Sequence, residues 1–470
     1  LKIGLQVLLS ANRIEIKKEL EMRRFTAFLL IVLALIPSVF ANGSSETKTE
    51  ASSGKTVVRL WTNDRHDATF WTKKVEEYNA TNTDNIELSY EIYTDNYQQA
   101  VDMAFQTGET PDILKYDMYF DKYILDGRFV DIMPSLSDEQ KKLTEEVWFE
   151  GSNLIDGKLY FIPTGNTCLR LFYNKTIFDR LGLEVPTTVE EMVNAALTIT
   201  KELSKEGIYG FACNLKSASN GLKRSLEPEV ERGTGLRLGY DFGTGTYDFT
   251  PYIPYLKAWA EMIQNGFPGS ESLDIDPLRS QFAAGKIGMY MSYTHAEPGV
   301  YVNQFPMTEG QEWGCTYLPI EEGEHHGQYF TGTPGFLFTQ SSKNYDAAWK
   351  AYSDVFLNVD NLREHFEQGF GISSLTAVIE SAEMGEAYQN NPALLKADDD
   401  IMYPKTPEEE YAQDFIVEGL DMYNTFGAII AGQLDVESAI ADLTKRYNSV
   451  NERLISQGVY ERVINENFAR

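Results

Sequence analysis

Cysteine is scarce in this chain, with three residues among 470. Cys168, Cys213 and Cys315 lie far apart and are odd in number. That excludes a disulfide-stapled scaffold and leaves room for one bridge at most. They read as small buried apolar side chains. Positive charge is short as well: 41 Lys and Arg stand against 70 Asp and Glu, a formal net charge of −29. Such a surface repels phosphate backbones and anionic lipid, so nucleic acid is not an expected partner. Long hydrophobic runs are missing. The best one, residues 25–36, spans twelve positions with Thr26 polar, and a membrane helix needs roughly 20.

Catalytic and cofactor signatures are also lacking. No GxSxG, HExxH or Walker A pattern occurs. Gly233, Gly235 and Gly239 follow no strand and have the wrong spacing for a dinucleotide loop. Asp241-Phe242-Gly243 spells a kinase triplet without its companion motifs. Histidine numbers five. His325-His326 sits in EEGEHHG beside Glu321, Glu322 and Glu324, but adjacent imidazoles on a loop point apart, so a solvated loop and no metal is the expectation. His66, His295 and His365 read as scattered. Among 70 acidic residues, a carboxylate pair for glycoside hydrolysis has no distinguishing mark. No cofactor is expected.

What is present begins with an address. Arg23 and Arg24 precede the apolar run, Pro37 and Ser38 end it, and Val39 and Ala41 are small. This is the layout of a secretory signal peptide over residues 22–41, with cleavage after Ala41. Residues 1–21 precede Met22 and read as a non-native leader. Residues 42–55, NGSSETKTEASSGK, are polar and aperiodic and read as a disordered tether. The whole chain is 43% apolar and 13% aromatic, with 27 Tyr and 26 Phe. Most of these rings belong to a core; an acidic, aromatic-rich exported chain also suits neutral polar ligands on which rings can stack.

TVVRLW at 56–61 reads as a buried strand and residues 72–78 as a helix. IELSYEI alternates apolar and polar positions, residues 97–107 read as a helix closed by Gly108, and PDIL opens a third strand. Strand, helix, strand, helix, strand predicts βαβ units and a parallel sheet. Thr188 and Glu191 have capping-box spacing, followed by Met192, Ala195, Ala196 and Ile199 on one helical face. Tyr345, Ala348, Trp349 and Tyr352 predict another helix, and Val436, Ile440, Leu443, Tyr447 and Val450 a long one. Residues 287–292 and 335–338 read as further buried strands.

The order of these segments resembles the sugar-type family of extracellular solute-binding proteins that serve ABC importers, the family of maltose-binding protein. VVRLWTND is similar to its opening strand and ligand loop, and YQQAVDMAFQTGETPDILKYD to its next helix, Gly-x-x-Pro-Asp turn and strand. GRFVDIMPSL follows. GKLYFIPTGNTCLRLFYNKTIFDRLGLEVPTTVEEM is the most specific block. FAAGKIGMYMS, WGCTYLPIEEG and YFTGTPGFLFTQSSKNYDAAWKAYSDVF continue it in the family's order. The resemblance runs from Thr56 to about Val459.

It implies an α/β fold of two lobes, each a sheet flanked by helices, joined by crossover strands, with a ligand held between the lobes. Residues 56–163 and 318–367 would form lobe 1, and 168–313 and 372–470 lobe 2. Ile162-Pro163-Thr164 and Tyr317-Leu318-Pro319 are the hinge candidates. Strand ends supply the expected contacts. Asn63, Asp64 and Arg65 follow the first strand and offer acceptors and a donor fork to hydroxyls. Tyr116 and Asp117 follow PDIL. Asn166 adjoins the first hinge. Tyr293, Thr294 and His295 follow MYMS, and Thr331, Gly332 and Thr333 precede GFLF. Tyr116 and Tyr293 stand where the family often places a stacking Trp. Trp61 reads as core. The implied role is that of a monomeric, non-enzymatic carbohydrate-binding protein, periplasmic or extracellular, that hands its ligand to a membrane permease. A same-fold binder of a polyamine, metal chelate or other non-sugar, and a secreted carbohydrate-active enzyme, stay open as alternatives.

Overall fold

The computed structural model describes residues 54–469, apart from 94–95, 322–325, 334, 398–399 and the side chains of residues 118 and 328–330. The segments read above as leader and signal peptide, most of the one read as a tether, and His325 lie outside the described residues.

Two sheets organise the chain from Thr56 onward. In the first, strand Thr56–Thr62 lies between Ile86–Ile92 and Ile113–Lys115, parallel to both. Phe336–Phe338, from much later in the chain, adds antiparallel to Ile113–Lys115 at the edge. Side chains alternate across a strand. Accordingly Leu60, Ile113 and Phe338 enter one core with Trp71, Val75, Tyr352 and Phe356. Their neighbours Trp61, Leu114 and Leu337 enter a second, with Tyr97, Val101 and Phe161. Trp61 is buried, its ring 4.7 Å from that of Tyr93. Helix Ala68–Thr81 begins four residues before the stretch the sequence pattern marked and covers the first core.

The second sheet is built around one ten-residue strand, Gly165–Asn174, buried along nearly its whole length. Ile287–Tyr293 runs antiparallel to it, and Tyr209–Phe211 extends the sheet in parallel. Trp313–Thr316 pairs with its far end, and Gln328–Gly332 and Ile372–Ser373 with its beginning. Alternation again divides the faces: Leu171 and Met289 pack with helices Val189–Leu203, Ile253–Gln264 and Val436–Ser456, while Phe172 and Tyr290 pack on the opposite side. The stripes predicted on Val189–Leu203 and Val436–Ser456 supply those contacts: Met192, Ala195, Ala196, Ile199, Ile440, Leu443, Tyr447 and Val450 are all buried. Cys168, Cys213 and Cys315 are buried and free. The Asp241-Phe242-Gly243 triplet is a turn in which Asp241 Oδ1 accepts from the Gly243 amide at 2.8 Å.

Three chain segments cross side by side between the sheets. The Thr333 amide donates to Gly165 O at 2.8 Å and the Ser374 amide to Thr164 O at 3.1 Å. A Cβ on Gly335 would lie 2.4 Å from Ile162 O, so only glycine lets these backbones approach. Leu318 is buried in the core of the second sheet, Ile320 bridges Thr188, and the chain rejoins the first sheet at Phe336. Among the described residues no helix is long and apolar enough to cross a membrane.

Candidate functional site

Where the first sheet's strand ends meet the crossing segments and the second sheet, the structure encloses a cavity of about 80 Å³. The loop after strand Thr56–Thr62 contributes Asp64, His66 and Asp67, and the end of the third strand contributes Lys115. Thr164, Gly165, Thr333 and residues 371–373 come from the three crossings, and His295 from the loop after Ile287–Tyr293. Trp71, Phe336, Phe356 and Leu362 make the apolar wall, with His365 beside them.

Asp67 organises the polar side. It stands at the start of helix Ala68–Thr81 but does not cap it. Its Oδ2 instead accepts from Trp71 Nε1 at 2.9 Å and faces His365 Nε2 at 3.2 Å, with His66 Nε2 at 3.7 Å. Its Oδ1 is buried and has no protein partner. Burial alone would raise the Asp67 carboxyl; His66, His365 and Lys115 together outweigh it and hold the group well below the usual carboxylate range. Asp64 is tied to Lys115 at 2.6 Å. His295 reaches in from the second sheet, its ring 5.2 Å from His66 in an edge-on contact. Its Nδ1 is also buried without a partner. Burial, then the proximity of His66, Arg279 and Lys115, push the His295 pKa well down, so the ring is neutral at pH 7.

Of the residues selected from sequence, Asp64, His295 and Thr333 line the cavity. Arg65 pairs with Asp276 at 3.1 Å, linking the loop of the first sheet to helix Ile275–Ala283 beside the second. Asn63 is exposed. Asn166 is buried behind the crossings, donating to Ser373 O at 2.8 Å, and Gly332 pairs with Asn166 and packs on Pro163. The Thr331 hydroxyl donates to Gly332 O at 3.3 Å. The remaining four turn elsewhere. Tyr116 stacks on Phe161 at 4.4 Å and donates to Asp121. Asp117 accepts from Gln98 Nε2 and the Tyr119 amide. Tyr293 lies under the Arg224 guanidinium at 5.2 Å, and Thr294 Oγ1 accepts from the Cys168 amide at 3.0 Å.

His66, His295 and His365, scattered in sequence, meet at this one cavity. His66 and Asp67 continue the loop of Asn63, Asp64 and Arg65, and Lys115 directly precedes Tyr116, so proximity to the selected residues marks all three. Nothing local marks His365 or Trp71, which arrive from helix faces. Among the described residues no group of three or more His, Cys, Asp or Glu can hold a metal ion.

A family model described as bacterial extracellular solute-binding protein matches residues 63–353. A binding protein of Brucella abortus is 26% identical over 268 residues, which are 55% of this chain and 60% of that protein. The chain thus spans about three fifths of the length of the curated relatives it matches first. Among solved structures, an ABC transporter solute-binding protein from Thermotoga lettingae bound to α-D-tagatose superposes with a TM-score of 0.65 at 18% identity, covering 84% of this chain and 100% of the other. One from Agrobacterium radiobacter in complex with ribitol gives 0.64 at 17% identity, covering 84% and 98%. Both carry the two-lobe fold described above.

Proposed function

This chain belongs to the family of bacterial extracellular solute-binding proteins, and from that premise we propose that it captures a carbohydrate or related polyol between its lobes and delivers it to an ABC importer. We take the first lobe as the sheet around Thr56–Thr62 with its helices and the second as the sheet around Gly165–Asn174, with crossings near 162–165, 332–335 and 370–373 in place of a hinge at 317–319. The observation that carries the proposal is a cavity lined from both sheets in which Asp67 Oδ1 and His295 Nδ1 are buried and unpartnered. Buried polar atoms without partners are costly, and a bound solute supplies what they lack. Export by the signal segment at residues 22–41, action as a monomer and absence of turnover belong to the same proposal.

The alternatives fit the cleft less well. A glycosidase needs one carboxyl held protonated as general acid. Here Asp67 is held ionised and Asp64 is paired with Lys115. A polyamine needs a surplus of negative charge, and Lys115 offsets one of the two carboxylates lining the cavity. Thermal unfolding of the purified chain against saccharides, polyols and polyamines tests the reading. A solute at 100 times its dissociation constant adds about 2.7 kcal/mol to native stability. A shift with a saccharide or polyol that is recovered unchanged supports capture. A shift with polyamines alone, or cleavage of the sugar, overturns it.

A further inference from the structure

We infer that the ligand is a single sugar ring or a linear sugar alcohol, held by hydroxyls that bond Asp67 Oδ1 and His295 Nδ1, and not an oligosaccharide. This inference rests on the reading of the cleft as a carbohydrate site and adds the size of the ligand and its polar contacts.

The chemistry of the two orphan atoms selects hydroxyl. Asp67 is ionised and can only accept a hydrogen bond. A neutral imidazole carries one donor and one acceptor nitrogen. Whichever role Nδ1 of His295 takes, a hydroxyl can answer it, and a hydroxyl can also donate to Asp67. A ligand carboxylate would meet the Asp67 charge. A ligand ammonium would meet the ammonium of Lys115, which lies over the Phe336 ring at 5.0 Å. Several other polar groups on the wall already have partners: Asp64 has Lys115, Asp67 Oδ2 has Trp71, and the Ser373 hydroxyl has Thr164 O at 3.4 Å and the Leu375 amide at 3.1 Å.

Size follows from the walls. The cavity measures about 80 Å³, against roughly 300–1,000 Å³ for sites that hold drug-sized ligands. Beside it the lobes leave room for little more than a Cβ. A Cβ on Gly299, from the second lobe, would lie 3.2 Å from Gly369 O, 3.4 Å from Phe370 Cα and 3.7 Å from His66 O. Arg65 and Asp276 join across the same seam. A longer saccharide needs a groove with successive ring platforms. The two tyrosines placed to provide them, Tyr116 and Tyr293, instead face Phe161 and Arg224.

Isothermal titration with two sets of probes tests the inference: aldohexoses, aldopentoses and ribitol in one, linear trisaccharides in the other. One member of the first set is expected to bind at one site per chain, more tightly than any trisaccharide. Asp67→Asn and His295→Leu should each weaken it about tenfold or more, the usual scale for losing a hydrogen bond to a buried polar or charged group. Circular dichroism of each unliganded variant checks its fold. Should Asp67→Asn fail to fold, His295→Leu carries the test, because His295 lies at the seam and outside the cores. Trisaccharides binding where single units do not would overturn the size assignment and leave the carbohydrate reading intact. Silence from both sets would overturn that reading itself. Unchanged affinity in the folded variants would overturn the two contacts.

Discussion

At the scale of single residues, the most consequential groups after Asp67 are glutamates. LEPEVERGT has three, and spacing alone would put them on a solvated helix. The structure buries Glu227, Glu229 and Glu231 in helix Leu226–Thr234. Arg237, which pairs with Glu231 at 2.6 Å, also reaches Glu409 at 2.7 Å, from a segment 172 positions away, so no local pattern announces the cluster. Glu229 accepts from Trp259 Nε1 at 2.6 Å, while its second oxygen is buried without a partner. Burial first, with Glu321 adding to it and Trp259 and Arg232 opposing, pushes its carboxyl up to about 8 from an ordinary 4.5. A raised carboxyl keeps its proton in the folded chain at pH values where the unfolded chain has lost it. Its contribution is therefore most favourable below pH 4.5 and is lost as pH rises toward 8. Urea unfolding should show stability falling between about pH 4.5 and 8. Glu229→Gln should reduce that fall by on the order of 1.4 kcal/mol per pH unit across the window, and an unaltered pH profile would contradict the assignment. The same non-locality hid the histidines: His66, His295 and His365 line one cavity only because distant segments of the chain bring them together.

At the scale of elements, legibility tracks how far a segment's own pattern decides its fate. Helix Val189–Leu203 could be read because its signals are local. Thr188 Oγ1 accepts from the Glu191 amide at 3.2 Å, and the Glu191 carboxylate accepts from the Thr188 amide at 3.2 Å. Thr188→Ala should cost about 1 kcal/mol in chemical unfolding; no loss would mean that tertiary packing alone fixes this terminus. Strand Thr56–Thr62 was likewise plain in its apolar run, and Ile86–Ile92 in its alternation. Short strands such as Tyr209–Phe211 and Trp313–Thr316 were not, because three or four residues carry no period and owe their form to the strand they join. The start of helix Ala68–Thr81 was missed because its first turn follows an aspartate that turns to Trp71 and the histidines and does not cap the helix.

At the scale of the whole molecule, the two-lobe arrangement was legible only as an order of segments, since no periodicity tells a chain to leave one sheet, complete another and return. The point of return shows the limit: Tyr317-Leu318-Pro319 has the proline expected of a hinge, yet Leu318 serves the second core and the first sheet resumes at Phe336. Under the proposed capture of a solute, function at this scale depends on the seam. Gly299 is a position where a side chain would hold the lobes apart, because a Cβ there would lie 3.2 Å from Gly369 O and 3.4 Å from Phe370 Cα, and its backbone lies in the ordinary helical region. Gly299→Leu should therefore leave each lobe folded and block full closure. Small-angle X-ray scattering of the wild-type chain and Gly299→Leu, each with and without the solute that shifts thermal unfolding, tests capture by lobe closure. The solute is expected to reduce the radius of gyration of the wild type and not of the variant, whose affinity falls. An unchanged radius in the wild type under saturating solute would contradict capture by closure of this cleft.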